Sequence, residues 1–194
     1  MSDLAPHHQI MLATWKHHTH AEFVLKDPDA ALATMTENPY VLCIPSGKGA
    51  AGRACVRAFY ANFFLPQVPP DFELSSVSQT FGDDRMVEEF VTRFTHTLYM
   101  DWMVPGVAPT RRQVEVVVVA IIQFHAGKVA HEHIHWDQAA VLSQLGVLDN
   151  PVAAAGVGSA ARLRNLSRRA QTAEALNTRP SRQPPAPSGA AAYL

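Results

Sequence analysis

Residues 123–146, QFHAGKVAHEHIHWDQAAVLSQLG, decide how the chain is read. A strand closes on a turn at Ala126-Gly127, and a second strand then carries four ionisable side chains in five residues: His131, Glu132, His133 and His135. Side chains alternate faces along a strand, so the three histidines point one way and Glu132 points the other, with Ile134 and Trp136. Whichever face is buried holds titratable groups in a low-dielectric site, where pKa values move and acid–base chemistry becomes available. The pattern points to a pocket for a small molecule.

The same period of two runs through the second half of the chain. Residues 72–81 and 86–100 read as strands joined at Gly82-Asp83-Asp84, and residues 112–125 and 128–136 form another hairpin. Between them, residues 101–111 contain Pro105, Gly106 and Pro109 and read as a loop. The first third has helical spacing instead. Residues 10–25 form one helix; Asp27-Pro28 caps a second that runs to Met35; residues 52–64 form a third, with Val56, Phe59, Tyr60 and Phe63 on one stripe. A short strand at residues 40–44 and a turn at residues 46–49 separate the last two helices, and the prolines between residues 66 and 70 stop the third. Helices followed by long antiparallel strands give an α+β fold, with helices laid on one face of a curved sheet.

Composition excludes several functions. A net charge of −1 leaves no surplus of Lys and Arg to neutralise phosphates, so no nucleic-acid partner is expected. The longest apolar stretch, residues 114–122, is interrupted by Glu115 and is too short to span a bilayer, so no membrane association is expected. Two cysteines, Cys43 and Cys55, make no disulfide framework, and the first residues show no signal peptide; a cytoplasmic protein is the simplest reading. After Asn150 the composition shifts to Ala, Ser, Pro and Arg. Residues 159–176 read as a basic helix, and the Pro-rich end has too little apolar surface to order itself. The division expected is a folded domain over residues 1–150 and a basic, partly disordered appendage over residues 151–194.

The order of elements, the helix ending in FY-x-x-F, and the last strand followed by WD and LSQLG resemble the SnoaL-like polyketide cyclases, of the nuclear transport factor 2 and ketosteroid isomerase superfamily. The resemblance covers roughly residues 10–149. It implies a cone, in which a strongly bent antiparallel or mixed sheet wraps the N-terminal helices and leaves an internal apolar pocket, and it implies a homodimer through the outer sheet face. It also implies acid–base catalysis without metal or organic cofactor, in which a general base removes a proton beside a carbonyl and a second group stabilises the enolate. Members of this group end with an E-H-W segment, then an Asp, then QLG. The spacing to QLG sets His131-Glu132-His133 against that segment, with Glu132 in the middle place, and Asp137 against the later Asp.

On the strand that contains FVTRFTHTLYM, Glu88, Phe90, Phe94 and His96 share one face, and Arg93 lies on the other. A buried carboxylate there would want a partner, and a histidine is a chemically reasonable one. Glu132 has a structural alternative, an ion pair with Arg93. Asp101-Trp102 opens the Pro-Gly loop, where Asp101 either orients a ligand or caps a turn, and Asp137 is placed to cap the final helix. His131, His133 and His135 are spaced along a line rather than converging on one point, so no metal site is expected from them. The histidines His7, His8, His17, His18 and His20 read as a solvated helix face, on which His18 and Glu22 can pair at i, i+4.

With what the resemblance implies, the expected function is a cofactor-independent acid–base enzyme acting on a small, mostly apolar carbonyl, lactone or epoxide. Glu132 is the base or acid, His96 its proton partner, and Glu88 or Asp101 the orienting groups. Trp136, Phe90, Trp102, Arg93 and Asp137 are the expected substrate contacts. The competing class is a ligand-binding or dimerisation module with the same pocket and no turnover.

Overall fold

Proline in a first helical turn removes a donor that the helix has no use for, and Pro6 starts α1 (Pro6–His20) in this way in the computed structural model, which describes residues 4–149 and 156–177. The helix continues into a π-helical turn, Ala21–Leu25. Asp27 then caps α2 (Pro28–Ala33), its side chain accepting from the amides of Asp29 and Ala30. This helix stops two residues before the expected Met35, because the Thr34 carbonyl accepts the Val129 amide and turns the chain into the sheet.

β1 (Met35–Cys43) accordingly begins five residues earlier than the apolar run at Tyr40 suggests. It tolerates Pro39, which has no amide to donate, because its pairing register shifts between Met35 and Tyr40. β2 (Lys48–Ala51) folds back on it. Its Lys-Gly-Ala-Ala sequence carries no strand signal, and Gly49 is required there, since a Cβ would sit 2.1 Å from the Val41 carbonyl oxygen. α3 (Arg53–Phe59) runs into a second π-helical turn, Tyr60–Phe64, and a 3-10 turn, Leu65–Gln67, ends it at the prolines.

β3 (Glu73–Phe81), β4 (Arg85–Thr95), β5 (Gln113–His125) and β6 (Lys128–Trp136) follow the alternating pattern. β4 stops five residues short of the expected Met100, because the His96 amide and carbonyl pair with Arg112 and Arg111 while the chain beyond Thr97 leaves the sheet. The sheet order is β2-β1-β6-β5-β4-β3, with β1 and β6 parallel and the other pairs antiparallel. This is the α+β cone, a curved six-stranded mixed sheet around the N-terminal helices.

Alternate residues of β5, from Val114 to Phe124, are buried and belong to the hydrophobic core. Each of these side chains larger than Ala120 stabilises the fold by roughly 1.5–3 kcal/mol. A bulge at Ala130, opposite Gln123 and Phe124, changes the parity of β6, so that Val129 and Glu132 both face inward. That bulge aims Glu132 into the cone.

α4 (Gln138–Gln144) is capped by Asp137, whose Oδ1 accepts the Ala140 amide at 2.9 Å. α5 (Ser159–Asn177) falls where the basic helix is expected; Ala160 is buried and Arg164 pairs with Glu115 of β5. The Pro-rich end expected to lack order lies outside the described residues. No helix among the described residues is long and apolar enough to cross a membrane.

Candidate active site

A cavity of about 290 Å³ lies inside the cone, and its wall is rich in aromatic rings: Trp15 and Phe23 from the first helical segment, Phe59, Tyr60 and Phe64 from the third, Phe72, Phe90, Trp102 and Trp136 from the sheet and its loop. Three acidic side chains interrupt this wall: Glu22, Glu88 and Glu132. Each is buried, and a buried carboxylate must find partners.

Glu132 finds His18. The imidazole Nε2 lies 3.0 Å from Glu132 Oε1 and 3.3 Å from Glu22 Oε1, and the Tyr60 hydroxyl reaches both Glu132 Oε1 (3.4 Å) and His18 Nε2 (3.3 Å). Trp15 stacks on the His18 ring at 5.6 Å. Both π-helical turns contribute: one carries Glu22 and the other begins at Tyr60. Such turns recur at functional sites, because they offset the helical register.

The charges explain the proton affinities. Burial disfavours the charged imidazolium of His18, but Glu132 and Glu22 outweigh it and hold its pKa well above 6.5. Burial raises the Glu132 carboxyl above its ordinary value, His18 offsetting part of the rise and Glu22 adding to it. Burial, Glu132 and Glu22 push the Tyr60 phenol well above 10, so it keeps its proton and serves as a neutral donor. The same causes push the Cys43 thiol up to about 12, which leaves no thiolate nucleophile there.

The second acidic station is Glu88. Its oxygens accept from Trp15 Nε1 (2.5 Å), Ser76 Oγ (2.6 Å) and Gln79 Nε2 (2.8 Å), so the carboxylate is held rigidly at the cavity wall by donors from α1 and β3.

The other expected residues divide clearly. Phe90, Trp102 and Trp136 line the cavity. The pairing of Glu132 with His96 is corrected: His96 lies outside the cavity, its Nδ1 3.2 Å from both the Thr110 amide and the Thr110 hydroxyl, where it pins the loop after β4, and burial lowers its pKa. The alternative pairing of Glu132 with Arg93 is corrected too, since Arg93 is exposed on the opposite face of β4 beside Asp71 and Glu73. Asp101 is away from the cavity and caps its turn, Oδ1 accepting the Gly106 amide at 2.8 Å. Asp137 likewise caps α4 rather than facing the cavity. On the outer face, Tyr40 stacks on His131 at 4.4 Å and its hydroxyl meets His133 Nε2 at 2.9 Å.

Two residues of the site differ from the sequence reading. His18 reads as solvated, yet it is fully buried, and Tyr60 reads only as part of an apolar stripe, yet its hydroxyl joins the buried cluster. The signal was present: Met11, Trp15, His18 and Glu22 follow one another at helical intervals of four, three and four, and all four are buried. Among the described residues, His18, Glu22 and Glu132 also form the one group whose donor atoms could hold a metal ion, all lying within 4.8 Å of one another.

The family model described as SnoaL-like domain matches residues 17–132. No functionally curated protein matches the chain. Among solved structures, a protein assigned as a SnoaL-like polyketide cyclase from Jannaschia sp. CCS1 is 19% identical with a TM-score of 0.60, over 77% of this chain and 100% of that one. TsrD from Streptomyces laurentii is 16% identical, TM-score 0.57, over 75% and 100%. AclR from Streptomyces galilaeus, assigned as a hydroxylase, is 20% identical, TM-score 0.54, over 86% and 94%. At such identities the likeness speaks for the fold.

Proposed function

Since the chain belongs to the SnoaL-like domain family, we propose that its cavity is the active site of an acid–base enzyme acting on a small, mostly apolar carbonyl, lactone or epoxide compound. One observation carries this reading: a buried carboxylate, Glu132, lines an aromatic cavity with an imidazole 3.0 Å behind it. Glu132 Oε1 is engaged by His18 and Tyr60, which leaves Oε2 for a ligand.

For a ketone, Glu132 takes the proton from the carbon beside the carbonyl, and the C–H electron pair moves into the enolate. Tyr60, which retains its proton and donates to Glu132 Oε1 in the resting site, turns that hydrogen to the developing oxyanion once Glu132 has taken the proton. Imidazolium His18 stabilises Glu132 as a carboxylate while burial keeps its proton affinity raised, a combination suited to a base that must later return the proton. Glu88, held by three donors at the wall, orients the ligand. Every group in this scheme is a side chain of the chain itself.

The test compares conversion with affinity over a panel of aryl ketones, lactones and epoxides, for the wild type, Glu132→Gln and His18→Gln. The reading predicts ligand binding in all three and loss of conversion in the variants. Binding with no conversion in the wild type would instead make the protein a ligand-binding module.

A further inference from the structure

Proton positions around His18 follow from what its neighbours can donate. The second ring nitrogen, Nδ1, lies 2.7 Å from the Thr34 hydroxyl oxygen. A threonine hydroxyl has one hydrogen to give, and that of Thr34 goes to the Ala31 carbonyl, at 2.7 Å. At Nδ1 the hydroxyl is therefore the acceptor, and Nδ1 must carry a hydrogen. The threonine is itself fixed, since its carbonyl accepts the Val129 amide at 3.0 Å and so ties the end of α2 to the start of β6.

We infer that Thr34 is a positioning residue that locks His18 with Nδ1–H toward Thr34, so that Nε2 is the nitrogen that exchanges a proton with Glu132 and Glu22. The inference deepens the acid–base reading and rests on it for its role in turnover, but the tautomer itself is a property of the resting protein. Without the lock, the neutral ring could place its hydrogen on Nε2 and present a bare Nδ1 to the α2 terminus. The cluster would then lose the one arrangement in which the mobile proton sits between both carboxylates. Partners of an imidazole that fix its tautomer act this way in catalytic and metal-bound histidines alike. The ionisable groups that face the ring are Glu22 on its own helical segment, Glu132 from β6 and Tyr60 from the third helical segment; Cys43 of β1 stands close behind Glu132 and stays a thiol.

The test is nitrogen-15 NMR of histidine-labelled protein across pH, with the His18 signals identified by their loss in His18→Gln. Wild type should keep a protonated Nδ1 throughout the titration, with the pH-dependent change confined to Nε2. Thr34→Val removes the acceptor for Nδ1–H, so His18 should titrate at lower pH and its neutral form should lose the single tautomer; Thr34→Ser should restore both. Where conversion is measurable, Thr34→Val should lower kcat by about 10- to 100-fold, the equivalent of one hydrogen bond to a charged group, with KM little changed. A wild-type Nδ1 that loses its proton overturns the inference, even if no valine variant folds. So does a Thr34→Val spectrum identical to wild type. A locked tautomer in a protein that converts nothing would leave this assignment standing and remove the enzyme reading instead.

Discussion

Replacing His18 by Gln tests whether the buried cluster is held together by charge. His18 is fully buried and its Nε2 lies between two carboxylates at 3.0 and 3.3 Å. Removing the imidazolium leaves Glu22 and Glu132 buried with no cation between them. Loss of one partner of a buried pair costs about 3–5 kcal/mol, which for a chain of this length lowers Tm by roughly 6–20 °C. The penalty should shrink on acidification, because the orphaned carboxyls then take up protons. Urea unfolding followed by tryptophan fluorescence, at pH 5 and pH 7, measures both quantities. Adding Glu132→Gln should recover part of the loss, since one of the two uncompensated charges is gone. A penalty under about 1 kcal/mol at pH 7, the scale of an exposed ion pair, would refute the reasoning, as would one that does not change with pH.

The pH dependence of wild-type stability has a definite sign. The folded-state pKa of His18 lies above 6.5 and that of Glu132 above 4.5, so above those values the native state holds protons that the unfolded chain has released. Their contribution to stability is fully present on the acid side of 4.5 and is lost as pH rises through the folded-state values, so unfolding free energy should fall between pH 7 and 9, by at most about 1.4 kcal/mol per pH unit for each retained proton; denaturant titrations would show a rise if this is wrong. Glu88→Leu strands the buried Trp15 indole N–H, while Ser76 and Gln79 are near enough to the surface to turn to water; the expected cost is about 1–3 kcal/mol in urea unfolding, and no loss would mean the station is dispensable. Thiol reagents should label exposed Cys55 in the native protein and reach buried Cys43 only after denaturation, as counted by mass spectrometry.

The cone was legible because its strands are long and alternate strictly, and because proline and glycine mark their ends. What sequence could not supply was local geometry set by distant partners. Pro39 inside β1 is allowed only by a register shift against β6, and β2 exists only because β1 offers it an edge. The acidic half of the site was legible for the same reason as the strands: parity groups Glu132 with Trp136, and Glu88 with Phe90. The bulge at Ala130 then decides that this parity faces inward. The partner of Glu132 was not legible from the strand, because it comes from a helix more than a hundred residues earlier and reaches the site across the fold. His96 shares the inward face of β4 in sequence, but the strand ends before it and the loop claims its ring.

The central claim is that Glu132 moves a proton of a ligand held in the cavity. It is tested most directly by hydrogen–deuterium exchange at the carbon beside the carbonyl of 2-tetralone, an aromatic ketone small enough for the cavity, in D2O followed by NMR. Wild type should accelerate the exchange above the buffer rate, and Glu132→Gln should lower it by about 10²–10⁴-fold while 2-tetralone affinity stays the same. Equal exchange by wild type and Glu132→Gln, or tight binding with no exchange above buffer, would contradict it.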